Sequence, residues 1–174
     1  MVAQGKAATA GDAKPRERDE FLALSAELTG FDRFDLEATG CADEYLEMWR
    51  RKVPQDVRAT LGSTWTKIEA EAGGDPKQTT ARVGKEIFGL TNLAGPAKSL
   101  VQMWLLGVWV NPQNSYDATT VSANAYRQGL VWTVAGTHPQ GARQPGFGTW
   151  ADPPASVTTQ AGTGAPRQRQ GSAP

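Results

Sequence analysis

The strongest pattern in the sequence is a helical repeat of apolar residues that follows Pro54 and ends at Gly73 and Gly74. Between these breaks, apolar side chains recur at steps of four and three residues, at Val57, Leu61, Trp65, Ile68 and Ala72. Such steps place all of them on one face of an α-helix, which turns once every ~3.6 residues. A proline at the start and glycines just past the end are typical of helix termini. We therefore predict an amphipathic helix between these breaks.

Weaker versions of the same pattern recur on both sides of this helix. A first helix is expected over residues 19–28, with Thr29 and Gly30 as its stop. A second begins near Thr39, and its acidic residues lie near its start and its basic residues near its end, as the helix dipole favours. Two further helices are expected over residues 76–87 and 122–134. The chain between its polar ends is thus predicted to be helical.

The most apolar run, AKSLVQMWLLGVWV, follows Pro96 and is apolar on nearly every side. This composition predicts a central helix that other helices cover. Gly107 interrupts it at a cost of ~1 kcal/mol relative to alanine, which indicates close packing by a neighbouring helix or a partner, with sequence drift as the alternative. No run of alternating β-branched residues is evident, so we predict an all-α fold, an irregular bundle of about five to six helices.

Composition divides the chain into four parts. Residues 1–16 and 155–174 are small and polar without periodicity, and both ends are predicted to be disordered. Residues 17–144 form the helical domain. Residues 145–154, PGFGTWADPP, form an extended segment that we call the aromatic strip. A glycine- and proline-rich segment cannot bury two large rings in a helix or sheet of its own, so these rings pack on this chain, pack on a partner or stay in water.

Charge and residue usage exclude several classes of function. The 174 residues carry 18 basic and 18 acidic side chains, so there is no electrostatic footprint for nucleic acid or anionic lipid. One cysteine and one histidine exclude an internal disulfide and zinc sites built from those ligands, and no calcium-binding loop is evident. The longest apolar run is well short of the ~20 residues that span a bilayer, so no membrane insertion is expected. No catalytic, cofactor-binding or metal-ligating residue is predicted.

The reactive side chains have ordinary structural interpretations. His138 lies in a loop without a nucleophile motif, so we expect a solvated side chain rather than a base. Cys41 precedes a helix, which could lower its pKa, but a partly buried structural cysteine is the favoured interpretation. Glu69 and Glu71 point to different sides of a helix and are read as solvated charges.

The tryptophans allow two hypotheses. Trp104, Trp109 and Trp132 could stack on sugars, which would make the chain a free-standing helical carbohydrate-binding module. Core packing is favoured because each lies on a predicted helix with apolar neighbours. The aromatic strip differs, because its prolines extend the backbone in advance and lower the cost of ordering it on a partner. Rigid aromatic anchors of this kind are typical of interface hot spots.

Three segments, in this order, resemble one known family: FLALSAELTG (residues 21–30), MWLLGVW (residues 103–109) and PGFGTWADPP (residues 145–154). Together they resemble the small, gamma-type subunit of bacterial FAD-dependent sugar and polyol dehydrogenases, the family that accompanies sorbitol, fructose and glucose dehydrogenases. The resemblance covers about residues 20–154 and is weakest over residues 50–95. Gly148 and Thr149 are inserted into the family's closing Pro-Gly-Phe-Trp pattern.

The resemblance implies a helical accessory protein, not an enzyme, that binds a large FAD-containing catalytic subunit and helps it to mature. FAD then belongs to the partner, this chain holds neither flavin nor haem, and a separate cytochrome c subunit of the complex usually takes the electrons. The family's twin-arginine export signal precedes an apolar stretch, whereas Arg50-Arg51 here ends a predicted helix. A periplasmic complex is implied, and the lack of an export signal in this sequence leaves a cytoplasmic one open.

The partner contacts follow from this interpretation. The residues expected to touch the catalytic subunit are Phe147, Trp150, Pro153 and Pro154 of the aromatic strip, together with Trp109 and Tyr116 as further candidates.

Overall fold

The computed structural model describes the backbone of residues 10–140 and the side chains of residues 16–140. This part of the chain is mostly α-helical and roughly a helical bundle, which confirms the predicted fold class. Its elements, in chain order, are α1 Ala10–Thr29, α2 Arg33–Ala38, α3 Ala42–Lys52, α4 Gln55–Ala72, α5 Pro76–Arg82, a π-helical turn Val83–Ile87, α6 Thr91–Leu106, β1 Val108–Asn111, β2 Asn114–Thr120, α7 Ala123–Gln128 and α8 Val131–Val134.

The core is built around α6, as its apolar composition predicts. Leu93, Leu100, Met103 and Trp104 of this helix are fully buried, and α1, α3 and α4 pack on it. The Trp104 ring meets Tyr45 of α3 edge-on, with the ring centroids 4.7 Å apart. Aromatic pairs in this arrangement contribute ~0.5–1.5 kcal/mol beyond the area that they bury. The core is therefore an aromatic cluster held by helices from the whole described chain.

Helix α4 confirms the helical repeat on which the sequence argument rests. Its buried residues are Leu61, Trp65, Ile68 and Ala72. Gly73 follows in the left-handed conformation, with φ of +57°, as expected for a residue that stops a helix. Pro54 precedes the first helical residue. Sequence and structure therefore agree on both ends of this helix.

The mostly helical fold also contains a small two-stranded sheet that was not predicted, and the predicted extension of the central helix to Val110 is wrong. Strands β1 and β2 form an antiparallel hairpin in which Val108 pairs with Thr120 and Trp109 with Thr119. Gly107 ends α6 in the left-handed conformation with φ of +69°, and the β-branched residues that follow suit an extended backbone. The apolar run is therefore a helix, a glycine break and a strand rather than one helix.

Other helix boundaries also differ from those predicted. Helix α1 begins at Ala10, so it extends into the polar segment expected to be disordered. The short helix α2 was not predicted; the Asp32 carboxylate caps it by accepting a hydrogen bond from the Asp35 amide at 2.8 Å. Helix α6 begins at Thr91, ahead of Pro96. The α-helical part of the predicted helix 76–87 stops at Arg82 and gives way to the π-helical turn.

The last predicted helix, over residues 122–134, is divided by Gly129 into α7 and α8. Gly129 adopts φ of −52° and ψ of 128°, which breaks the helical path. A Cβ atom at this position would lie 2.7 Å from the Leu105 carbonyl oxygen. Contact with α6 therefore requires a glycine at this bend.

Candidate partner-binding surface

The candidate surface begins with the side chains that the sequence assigns to partner binding. Four of them lie outside the described residues: Phe147, Trp150, Pro153 and Pro154. The structure describes the other two, Trp109 and Tyr116, on the two strands of the hairpin.

Trp109 belongs to the core, which corrects its choice as a partner contact. Its side chain is 2% exposed, and its ring lies 6.0 Å from that of Trp49 in an edge-on arrangement. The physical reason is that β1 packs along α6, where the Ser99 hydroxyl donates to the Val110 carbonyl oxygen at 2.5 Å. A ring covered in this way offers no face to another protein.

Tyr116 is the opposite case, because it is 97% exposed. It lies on β2, whose residues are exposed except for Thr119. The hairpin is held in shape near this tyrosine: the Asn111 amide donates to the Asp117 carboxylate at 2.8 Å, and the Asn114 side-chain oxygen accepts from the Tyr116 amide at 3.2 Å. The Tyr116 ring is thus exposed to solvent on a hairpin that hydrogen bonds hold in place. These properties suit a residue that contacts a partner.

Four further apolar side chains are exposed and were not singled out in the sequence: Phe34, Leu90, Leu106 and Val134. Phe34 is 77% exposed on α2, and Val134 is 68% exposed on α8. Single exposed apolar residues are ordinary, but a phenylalanine this exposed on a helix is less so. The sequence feature that could have revealed Phe34 is the short amphipathic stretch after Asp32. Asp32 caps α2, a helix that was not predicted.

Two hollows lie on the surface around α2. The larger, about 750 Å³, lies between α1 and the α4–α5 pair, and Phe31 and Trp65 form part of its wall. The smaller, about 230 Å³, lies between α2 and the α7–α8 pair and is lined by Ala38, Leu130 and Trp132 among others. Phe31 lines both hollows. The two hollows therefore share Phe31 as part of their lining.

The tryptophans do not assemble a sugar-stacking platform among the described residues. Trp104 is fully buried and Trp109 is 2% exposed, as expected for core packing. Trp132 is partly exposed, but its ring packs edge-on against Tyr126 at 5.5 Å, and its indole N–H donates to the Tyr126 carbonyl oxygen at 2.8 Å. Only this last ring has any exposed face, so three co-operating platforms are not present.

Cys41 is a buried structural cysteine, as expected. Its side chain is fully buried, and the Asn124 amide donates to its sulfur at 3.4 Å. Burial raises the pKa of the Cys41 thiol to about 11, and the nearby Glu44 carboxylate acts in the same direction. The thiolate is therefore scarce near neutral pH, and this group is a poor nucleophile.

Several charged side chains form ion pairs between helices. Glu17 of α1 accepts from Arg50 of α3 at 2.7 Å and from Arg58 of α4 at 2.8 Å. The hydrogen bond from Arg50 is the largest influence that lowers the pKa of Glu17. Glu71 pairs with Arg82, so it joins α4 to α5. These contacts tie the helices to one another.

Two absences hold for residues 10–140. None of the helices there is both long and apolar enough to cross a membrane. Among the side chains of residues 16–140, no three histidine, cysteine, aspartate or glutamate groups come together as metal ligands could.

Comparison of the chain with protein-family models, with curated proteins and with solved structures finds no match. The resemblance to the gamma-type small subunits therefore stays a prediction from the sequence.

Proposed function

We propose that this chain is a non-catalytic small subunit that binds and stabilises the FAD-containing catalytic subunit of a sugar or polyol dehydrogenase complex. The observation that carries the proposal is the ordered set of three resembling segments, residues 21–30, 103–109 and 145–154. One contact supports reading them together: Phe21 of the first segment and Trp104 of the second pack with ring centroids 6.2 Å apart.

The division of labour between these segments also supports a binding role. The first two segments supply buried core side chains, whereas the aromatic strip follows the last described helix and carries two large rings. Tyr116 adds an exposed ring on the hairpin. Burying one such ring on a partner contributes ~1.5–3 kcal/mol, so a few anchors suffice for a stable complex.

The subunit would act by mass action. A protein that binds only the folded catalytic chain stabilises it, by ~2.7 kcal/mol when present at about one hundred times its dissociation constant. In this proposal FAD and the chemistry belong to the partner, and a cytochrome c subunit takes the electrons. The residues of this chain supply a binding surface.

Co-expression tests the proposal. The candidate flavoprotein is produced with and without this chain, and its solubility, flavin content and sugar-dependent dye reduction are measured. We expect all three to fall when the chain is omitted, and to fall partly with the Phe147→Ala/Trp150→Ala variant. Thr158→Ala, in the polar tail, serves as the matched control and should behave as wild type. A flavoprotein that stays soluble, flavin-loaded and active alone would refute the proposal.

The alternative, a free-standing carbohydrate-binding module, predicts a different result. Sugars titrated into the isolated chain would then change its tryptophan fluorescence in a saturable way. Our proposal expects no saturable response, because Trp104 and Trp109 are buried in the core.

A further inference from the structure

The larger hollow, between α1 and the α4–α5 pair, has both aromatic and acidic side chains in its wall. Phe31 and Trp65 supply rings, and Glu27 of α1 and Glu69 of α4 supply carboxylates. A third carboxylate in the wall, that of Asp32, caps α2. Aromatic rings attract organic cations through cation–π contacts, and carboxylates attract them through charge-assisted hydrogen bonds. The lining therefore has the chemistry of a site for an organic cation.

The carboxylates of Glu27 and Glu69 have no cationic partner among the described side chains. Neither forms an ion pair or a side-chain hydrogen bond with another described residue. Arg33 also lines the hollow, but its guanidinium pairs with Asp19 and Glu37 instead. Burial raises the pKa of Glu27, and no positive charge in the described part of the chain offsets this effect. The negative charge of the hollow is therefore uncompensated.

Trp65 provides a second observation, which does not depend on charge. This side chain forms part of the wall and is 8% exposed, and its indole N–H has no hydrogen-bond acceptor among the described residues. Buried donors in folded proteins are nearly always paired, so an unpaired one calls for an explanation. Trp65 and Glu69 are four residues apart in α4 and lie on the same face of that helix. An unpaired donor and an unpaired carboxylate thus occur together on one wall, as they do where a polar ligand binds.

We propose that the larger hollow binds an organic cation, a guanidinium or ammonium group on an aliphatic stem, with Glu27 and Glu69 as its counter-ions. Its volume of about 750 Å³ is ample for such a group. A carboxylate that is desolvated without a partner destabilises the fold, and a bound cation removes that penalty. A basic side chain of another protein and a small-molecule amine or guanidine share this chemistry. The inference goes beyond the proposed function and does not depend on it.

Titration of the isolated, full-length chain, followed by amide and indole NMR signals, tests the site. The first probe is butylguanidinium, which represents a small-molecule cation, and the second is N-acetylarginine amide, which represents an arginine of a polypeptide. We expect saturable shifts at Gly30, Trp65 and Thr79, which line the hollow. The neutral isosteres butylurea and N-acetylcitrulline amide should cause none. Both cations support the site: tighter binding of the second favours a protein side chain as the natural ligand, and tighter binding of the first favours a small molecule.

Two variants of α1 give the second measurement. Glu27→Gln should weaken the binding of either cation by at least ~5-fold, because a neutral hydrogen bond replaces a charge-assisted one. It keeps the shape of the side chain and removes an unpaired charge, so the fold is retained. Glu20→Gln, on the same helix but outside this hollow, changes the net charge equally and should leave binding unchanged. Shifts that do not saturate, that butylurea or Mg²⁺ reproduces, or that persist undiminished in Glu27→Gln would overturn the site. None of these outcomes bears on the co-expression result, since no partner is present.

Discussion

Substitution of Gly107 tests directly whether α6 and α7 pack so closely that only a glycine fits between them. It closes α6 with φ of +69°, a region that costs a residue with a side chain ~1–2 kcal/mol. A Cβ atom here would also lie 2.4 to 2.6 Å from backbone atoms of Ala125 and Tyr126 in α7. Backbone atoms cannot swing away as a flexible side chain can, so overpacking adds ~1–3 kcal/mol. Gly107→Ala should therefore cost roughly 2–5 kcal/mol, a large share of the ~5–15 kcal/mol typical of a domain.

Gly73 is a matched control for this substitution. It also ends a helix in the left-handed conformation, with φ of +57°, but a Cβ atom there would meet nothing within 4 Å. Gly73→Ala should cost only the conformational part, ~1–2 kcal/mol. The free energies of unfolding come from urea titrations followed by tryptophan fluorescence, with linear extrapolation. Equal losses in the two variants would show that close approach of α7 is not what requires Gly107.

Three further predictions concern single groups. Glu17→Gln should lower stability at about pH 7 by less than ~1 kcal/mol, because the ion pair is partly exposed. Since the pKa of Glu17 is lowered on folding, this contribution is lost as pH falls through the folded value, so the difference between variant and wild type in urea titrations should be smaller at about pH 3 than at about pH 7. Cys41 should resist thiol reagents at about pH 8 until the chain unfolds, and prompt labelling of the native chain would contradict its burial. Tyr116→Ala should leave the free energy of unfolding within ~0.5 kcal/mol of wild type yet weaken flavoprotein binding by more than ~1 kcal/mol in calorimetry, whereas Gln113→Ala on the same hairpin should change neither.

The helices were predictable where one face is buried and the ends carry breakers. Helix α4 has both signals, and its bounds follow from the sequence. The hairpin was not predictable by the same reasoning. Residues of β2 are exposed on both faces, so they show no alternation of apolar and polar side chains, and β1 continues the apolar run of α6 without a change in composition. Gly107 was the one residue in this run that could have indicated the end of the helix. Its close approach to the backbone of α7 explains why a glycine is needed there.

The candidate surface was predictable only in part. Tyr116 is exposed, as a contact residue must be, whereas Trp109 packs in the core, as its apolar neighbours predicted, and its additional choice as a partner contact was wrong. The sequence did not show how β1 lies along α6, which is what covers the Trp109 ring. The two hollows arise from tertiary packing. One is lined by residues beside α2 and by α4 and α5, and the other by residues of α2, α7 and α8. Because the lining residues are distant in sequence, no local sequence pattern predicts these hollows.

The two strands of the hairpin differ in how much they contact the rest of the fold, and this difference should affect their dynamics. Strand β1 is tied to α6 through Ser99 and the buried Trp109, whereas β2 lies against solvent along nearly its whole length. Local opening should therefore begin with β2, and its amide protons should exchange far faster than those of α6. A protein bound at Tyr116 would stabilise β2 and slow the exchange of its amide protons. Complex formation can thus be followed as protection of seven consecutive residues, without any substitution in the chain.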